Sequence, residues 1–277
     1  MFGIALTALG SFLDETAASI GKWAVTHKKE PLMVMGFLNV FWVSAIFGAV
    51  ALFKGEFAFA PAALPLFLTR SVFEIAQFHI GLLATVKSDR SALGFLMILT
   101  LPLLLAVDTV LGYEMTTLQL LGVATIVLSL ALLLVNHGIS KKGLGYALFI
   151  AINPVITISM FKYSITHYNT VEVEQSLMFG VLAVYGAAMS YVMHRENPFK
   201  YLKNPLCLAH SLLRGVSGTM HSFAYVFAPA SVITTAKRAA SLFAAVVSGN
   251  VYFHEKHLVL KLASFSLIVL GLILIVV

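Results

Sequence analysis

The chain has 277 residues, 60% hydrophobic and 11% charged, with a mean hydropathy of +0.94. Soluble domains carry about 25% charged residues, so this composition points to a polytopic membrane protein with no room for a soluble catalytic or nucleotide-binding domain. The formal net charge of +6 is spread over short loops, which makes no nucleic-acid surface. A single cysteine, Cys207, gives neither an intrachain disulfide nor a metal-binding spacing.

Ten apolar segments follow one another at 3–25, 32–53, 63–85, 91–110, 116–135, 143–165, 174–194, 205–227, 231–253 and 257–277. Roughly 20 apolar residues cross a hydrocarbon core, so the pattern predicts an all-α protein of ten transmembrane helices. The opening MFGIALTALG lacks a basic n-region and runs at full length, which reads as a retained span. Twelve cations, Lys22, Lys28, Lys29, Lys87, Arg90, Lys141, Lys142, Arg195, Lys200, Lys203, Lys256 and Lys261, follow odd-numbered spans, against Lys54 and Lys162 on the other side. The positive-inside rule then places the odd-span loops in the cytoplasm and both termini outside, in a multi-pass protein of the cell (inner) membrane.

The first span carries Asp14 and Glu15 about halfway down. An ionised carboxylate there needs a cation partner or water, so the two are either ion-paired with a neighbouring span or protonatable groups that couple solute movement to a proton. Asn39 and Trp42 in the second span read as packing residues. The third span holds Arg70 and Glu74 at i, i+4, on one helix face, with Gln77 near it. Glu74 either neutralises Arg70 or crosses to Arg214 of the eighth span.

Sliding the sequence by about 140 residues aligns Lys22-Trp23-Ala24-Val25-Thr26-His27 with Lys162-Tyr163-Ser164-Ile165-Thr166-His167, Ser71 with Ser211, and Glu74 with Arg214. Tyr113-Glu114 meets His254-Glu255 at 141. The alignment predicts two five-span halves, 1–138 and 139–277. An odd number of spans per half inverts the second half in the membrane. Such repeats place substrate near the midplane and alternate access about it, which is carrier architecture.

In the sixth span Asn153-Pro154 mirrors Asp14. Proline removes a backbone hydrogen bond, so either a broken helix with free carbonyls lining a cavity or an ordinary proline kink is expected there. His79, His210 and His221 lie within spans and read as hydrogen-bonding core residues. No HExxH, GxSxG or Gly-rich phosphate loop occurs, so neither an enzyme signature nor a cofactor or metal site is expected. The ninth span, PASVITTAKRAASLFAAVVSGNVYFHEK with its flanks, carries Lys237 and Arg238 side by side. A central Arg or Lys costs at least ~2.5 kcal/mol to insert, so the two face the bundle interior, water or an anion, unless they snorkel to the interface. Ser241, Ala245 and Gly249 follow at four-residue spacing, as in helices that approach closely.

The two five-span halves resemble the drug/metabolite transporter superfamily in its EamA-like branch. The likeness is carried by Ala230-Ser231-Val232, Ala236-Lys237-Arg238, Leu242-Phe243-Ala244 and Phe253-His254-Glu255-Lys256, with Pro102-Leu103-Leu104 and Gly112-Tyr113-Glu114 as the first-half counterpart. The adjacent Lys-Arg also resembles the ninth span of sugar-phosphate and nucleotide-sugar translocators, where it goes with anionic substrates. Members of the superfamily generally keep both termini in the cytoplasm, opposite to the charge count here.

These readings converge on a secondary transporter of a small organic solute, an anion or zwitterion such as an amino acid, carboxylate or phosphorylated compound. Lys237 and Arg238 are the expected anion-binding pair. Arg70, Glu74 and Arg214 form a midplane network, Asn153 lines the cavity, and Asp14 or Glu15 takes a coupling proton. Trp23 and Tyr225 are candidate cavity walls. Partners are the solute, the bilayer, a proton and, through the apolar fifth and tenth spans, a second copy in a homodimer. The alternatives are an intramembrane lipid-modifying enzyme built on Asp14, Glu15 and the histidines, or a structural membrane protein without transport.

Overall fold

Each of the ten apolar segments is helical in the computed structural model, which describes residues 2–55, 57–110, 116–136, 143–227, 230–254 and 257–276. Nine form one helix each: α1 (Phe2–Thr26), α2 (Leu32–Lys54), α3 (Leu64–Lys87), α6 (Thr117–Val135), α7 (Leu144–His167), α8 (Val171–His194), α9 (Pro205–Phe227), α10 (Ala230–Val251) and α11 (Leu258–Val276). The fourth segment forms two, α4 (Arg90–Met97) and α5 (Thr100–Val110). No strand occurs among the described residues. Tyr113, Glu114, Lys141, Lys142, Glu255 and Lys256 lie outside them, as does the side chain of Tyr225.

Long apolar runs dictate these helices, and local signals end them. Pro31 precedes α2, and Gly55, in the left-handed region at φ 67°, donates its N–H to the carbonyls of Ala51 and Leu52. Thr170 caps α8 by accepting from Val173 N at 3.4 Å, with Glu172 and Glu174 in the positive first turn. The chain from Pro61 to Lys87 and helices α2, α7 and α8 are long and apolar enough to cross a membrane. Large apolar side chains point outward on these helices, including Phe53, Val72, Ile152 and Val184, as a hydrocarbon solvent permits.

Proline explains the break between α4 and α5. Pro102 has no N–H for the carbonyl of Ile98, and its ring crowds that oxygen. The chain tightens instead: Ile98 N bonds Phe95 O at 3.2 Å, Leu99 N bonds Leu96 O at 3.0 Å, and Leu101 N bonds Ile98 O at 3.0 Å. Pro102 then sits in the first turn of α5, where a missing donor is harmless. The break expected at Pro154 does not occur. Helix α7 runs through it, because Gln77 Nε2 of α3 donates to the freed Ile150 carbonyl at 3.2 Å and Thr100 of α5 donates to Ala151 O at 2.7 Å.

The packing follows an exchange rule. Helices α2 and α8, α4 and α10, and α6 and α11 pack together, each pair lying five apolar segments apart. The α1–α9 contact is answered by α7–α3, α1–α10 by α7 against α4 and α5, and α2–α9 by α8–α3. Small residues make the closest approaches possible. A Cβ on Gly186 would lie 3.1 Å from Phe37 N, and one on Gly271 would lie 2.8 Å from Gly122 O. Ala245, in the small-residue stripe of α10, stands against Gly94 of α4.

Candidate functional site

Three polar clusters sit inside this apolar bundle, at distinct helix junctions. The first lies where α1 meets α9 and α10. Arg214 Nη1 donates to Asp14 Oδ1 in a short ion pair, and Ser217 Oγ donates to the same oxygen at 3.0 Å. The pair is about 30% accessible on each side, 29% for Arg214 and 31% for Asp14, so it is not sealed from its surroundings. One turn earlier on α1, Ser11 Oγ meets His221 Nε2 at 3.2 Å and the backbone carbonyl of Lys237 at 3.4 Å. Helix α1 is thereby tied to the basic stretch of α10.

Lys237 lies within electrostatic reach of Asp14, Arg214 and Arg238, yet it makes no ion pair with any described residue. Arg238 is buried and donates from Nη2 to Thr100 Oγ1 at 3.3 Å. Arg214 is answered by Asp14, and Lys237 lies close to that pair and to Arg238.

Glu15, next to Asp14 in sequence, is engaged quite differently. Arg90 Nε and Nη2 reach its two oxygens at 2.9 and 2.6 Å, Ser248 Oγ donates at 2.6 Å and Ser19 Oγ at 3.3 Å. This buried carboxylate clasps α1, α4 and α10 together. Of the two candidate proton-coupling acids, Asp14 keeps 31% side-chain exposure beside Arg214 and Glu15 is buried among four donors.

The second cluster joins α3, α7 and α8. Arg70 donates to Glu174 Oε1 at 2.9 Å and to Glu74 Oε1 at 3.3 Å, and it packs over the Phe161 ring at 4.7 Å. Glu174 Oε2 accepts from Ser164 Oγ and Asn169 Nδ2, each at 2.9 Å. The anticipated Glu74–Arg214 pair does not form, because Asp14 of the neighbouring α1 takes Arg214 and Arg70 keeps Glu74 on its own helix. Asn153 is buried and donates to Phe73 O at 3.2 Å, which fastens α7 to α3. Trp23 stacks on His27 at 4.6 Å at the end of α1, away from the charges of the first cluster.

The third cluster was not anticipated. Glu30, in the turn between α1 and α2, and His210 of α9 are both almost wholly buried, with Nδ1 3.8 Å from Oε1. Burial raises the Glu30 carboxyl from its ordinary value to about 7. His79 and His221 behave as hydrogen-bonding core residues, His79 through Tyr185 at 2.7 Å.

No group of three His, Cys, Asp or Glu residues is placed to hold a metal ion among the described residues. Two grooves open elsewhere: one of about 430 Å³ beside Ile80, Leu144 and Tyr146, and one of about 220 Å³ beside Leu6, Val216 and Phe223. No charged candidate lines either. Glu30, Arg90 and Glu174 escape sequence reasoning because each sits at a helix boundary, where a charge reads as a solvated loop residue. Compared with protein-family models and with curated proteins, the chain matches none.

Proposed function

We propose that this protein is a secondary transporter, a multi-pass carrier of a small organic anion or zwitterion working by alternating access, with the architecture of the EamA-like drug/metabolite transporters. Two five-segment halves, 1–138 and 139–277, related by inversion, are the reading that best accounts for the exchange rule in the helix packing. The single observation that carries the substrate class is Lys237. Its ammonium lies in an apolar helix, next to Arg238 and within reach of Arg214, with no ion-pair partner among the described residues. A cation so placed is best explained by a transient anionic partner. Lys237 and Arg238 bind that anion, Arg214 and Asp14 border it, and Asp14 is the acid open to a coupling proton.

The test is a melting screen of the purified protein in detergent with organic anions, zwitterions and cations. A ligand that binds only the folded state at a hundredfold excess over Kd raises stability by about 2.7 kcal/mol. Stabilisation by one anionic class is expected, with loss of it in K237A/R238A. Losing two charge-assisted hydrogen bonds weakens binding by tenfold or more, and uptake into proteoliposomes falls accordingly. Full uptake by that double variant, or stabilisation by cations and apolar compounds alone, makes the basic pair structural.

A further inference from the structure

In the Glu30–His210 pair, the atoms that face each other are left without hydrogen-bond partners. Neither carboxyl oxygen of Glu30 and not His210 Nδ1 has a hydrogen-bond partner, and all three atoms are buried. The other ring nitrogen, Nε2, is bonded to Asn39 Oδ1 at 2.9 Å. An amide oxygen only accepts, so Nε2 carries a hydrogen and a neutral imidazole would turn its Nδ1 lone pair toward the carboxyl. A carboxylate facing a lone pair 3.8 Å away, with no donor to either, is an arrangement a buried site does not sustain. A hydrogen on either atom removes the clash of lone pairs, and a closer approach of the two side chains would make it a hydrogen bond between Oε1 and Nδ1.

We propose that Glu30 and His210 hold one exchangeable proton between them, which makes the α1–α2 turn, packed against α9, a proton-binding site distinct from the Asp14–Arg214 pair. The ionisable surroundings suit this role. Cys207 of α9 lies beside the carboxyl without meeting hydrogen-bond geometry, and Tyr201 faces it from the 3-10 turn 198–203. Arg214 of α9 and Asp14 of α1 reach the imidazole electrostatically. Helix α2 contributes Asn39 and no ionisable group near the pair, while Lys28 and Lys29 precede Glu30 on the exposed side of the turn. No cation therefore pins Glu30 in its charged form, and its raised titration point agrees with a proton held near neutral pH.

Position adds a use. His210 stands between Glu30, at the edge of the bundle, and the Asp14–Arg214 pair within it, so loss of the shared proton adds negative charge beside Arg214. On the carrier reading above, this is where a driving proton is loaded; the proton site itself does not depend on that reading.

Infrared spectra of the purified protein in detergent, recorded from about pH 5 to about pH 9, test the proposal without any substrate. The carbonyl absorption of a protonated carboxylic acid should be present at the acid end and titrate away near pH 7. It should vanish in E30Q. In H210Q the amide can donate to the carboxylate where the bare Nδ1 could not, so the midpoint falls by about one pH unit or more, the size of one charge-assisted hydrogen bond. A wild-type spectrum with no carboxylic acid titrating in that range overturns the proposal without recourse to any variant. A titration that survives E30Q overturns the assignment to Glu30, and an unmoved midpoint in H210Q overturns the sharing. Failure of the uptake tests leaves all three outcomes readable.

Discussion

The second and third clusters occupy matching places and solve the same problem in opposite ways. At the 140-residue offset His210 stands where Arg70 stands, and both reach an acid near the start of a neighbouring helix, Glu30 before α2 and Glu174 in α8. Around Arg70 every charge is answered: the guanidinium spans two carboxylates, and Glu174 also takes two side-chain donors. Around His210 the acid has no donor in hydrogen-bond geometry, only the Cys207 thiol beside it. An arginine never releases its proton in a protein, whereas a buried carboxylic acid can exchange its own near neutrality. One junction is fixed, and its counterpart is left adjustable.

The contrast is broken most forcefully at Arg70. R70M strands two carboxylates in an apolar junction, and removing one partner of a buried pair costs about 3–5 kcal/mol. The unfolding midpoint of the purified variant should fall far below wild type, with partial recovery in R70M/E174Q. An undiminished midpoint would mean that water already reaches this junction.

The adjustable side makes a prediction about pH. The folded-state carboxyl of Glu30 is raised from 4.5 to about 7, so between those values the folded protein holds a proton that the unfolded chain has released. Stability is therefore fully present below about pH 4.5 and is lost as pH rises through 7, by roughly 3 kcal/mol in all. Melting at pH 8 should occur below melting at pH 5, and E30Q should flatten that slope. A smaller effect is expected at Gln77, whose amide satisfies the carbonyl freed by Pro154. Q77A leaves that carbonyl unsatisfied at a cost of about 1–2 kcal/mol, readable in the same melts. The weakest is E196A, which removes a surface pair with Lys200 and should shift stability by less than about 0.5 kcal/mol.

How much of this was legible in the sequence follows from what decides each feature. Helix existence is set by long apolar runs, and all ten segments read that way are helical. Of the two readings at Pro154, the broken helix does not occur. Pro154 is tolerated because α3 and α5 supply donors from far away in the chain, while Pro102 divides its segment because a tightened turn meets its needs locally. Buried charges were identified by type: Arg70, Arg214, Lys237 and Arg238 do lie in the bundle. The i, i+4 pair of Arg70 with Glu74 was legible as one of two readings, and it forms; partners on other helices were not, since that pairing depends on which helices touch. Arg214 meets Asp14 because α1 packs on α9, a contact between residues 200 apart that no local pattern encodes.

Thr100 has only one hydrogen to give, and it goes to Ala151, while its lone pair takes Arg238. Strung between α10 and α7, this hydroxyl acts as a pawl. Load on the Arg238 guanidinium reaches α7 at the very turn that Pro154 has already loosened. Without Arg238 the hydroxyl keeps its bond to the Ala151 carbonyl, close to Pro154, but loses its tie to α10. One hydroxyl oxygen thus links the Lys237-Arg238 helix to the helix that carries Pro154.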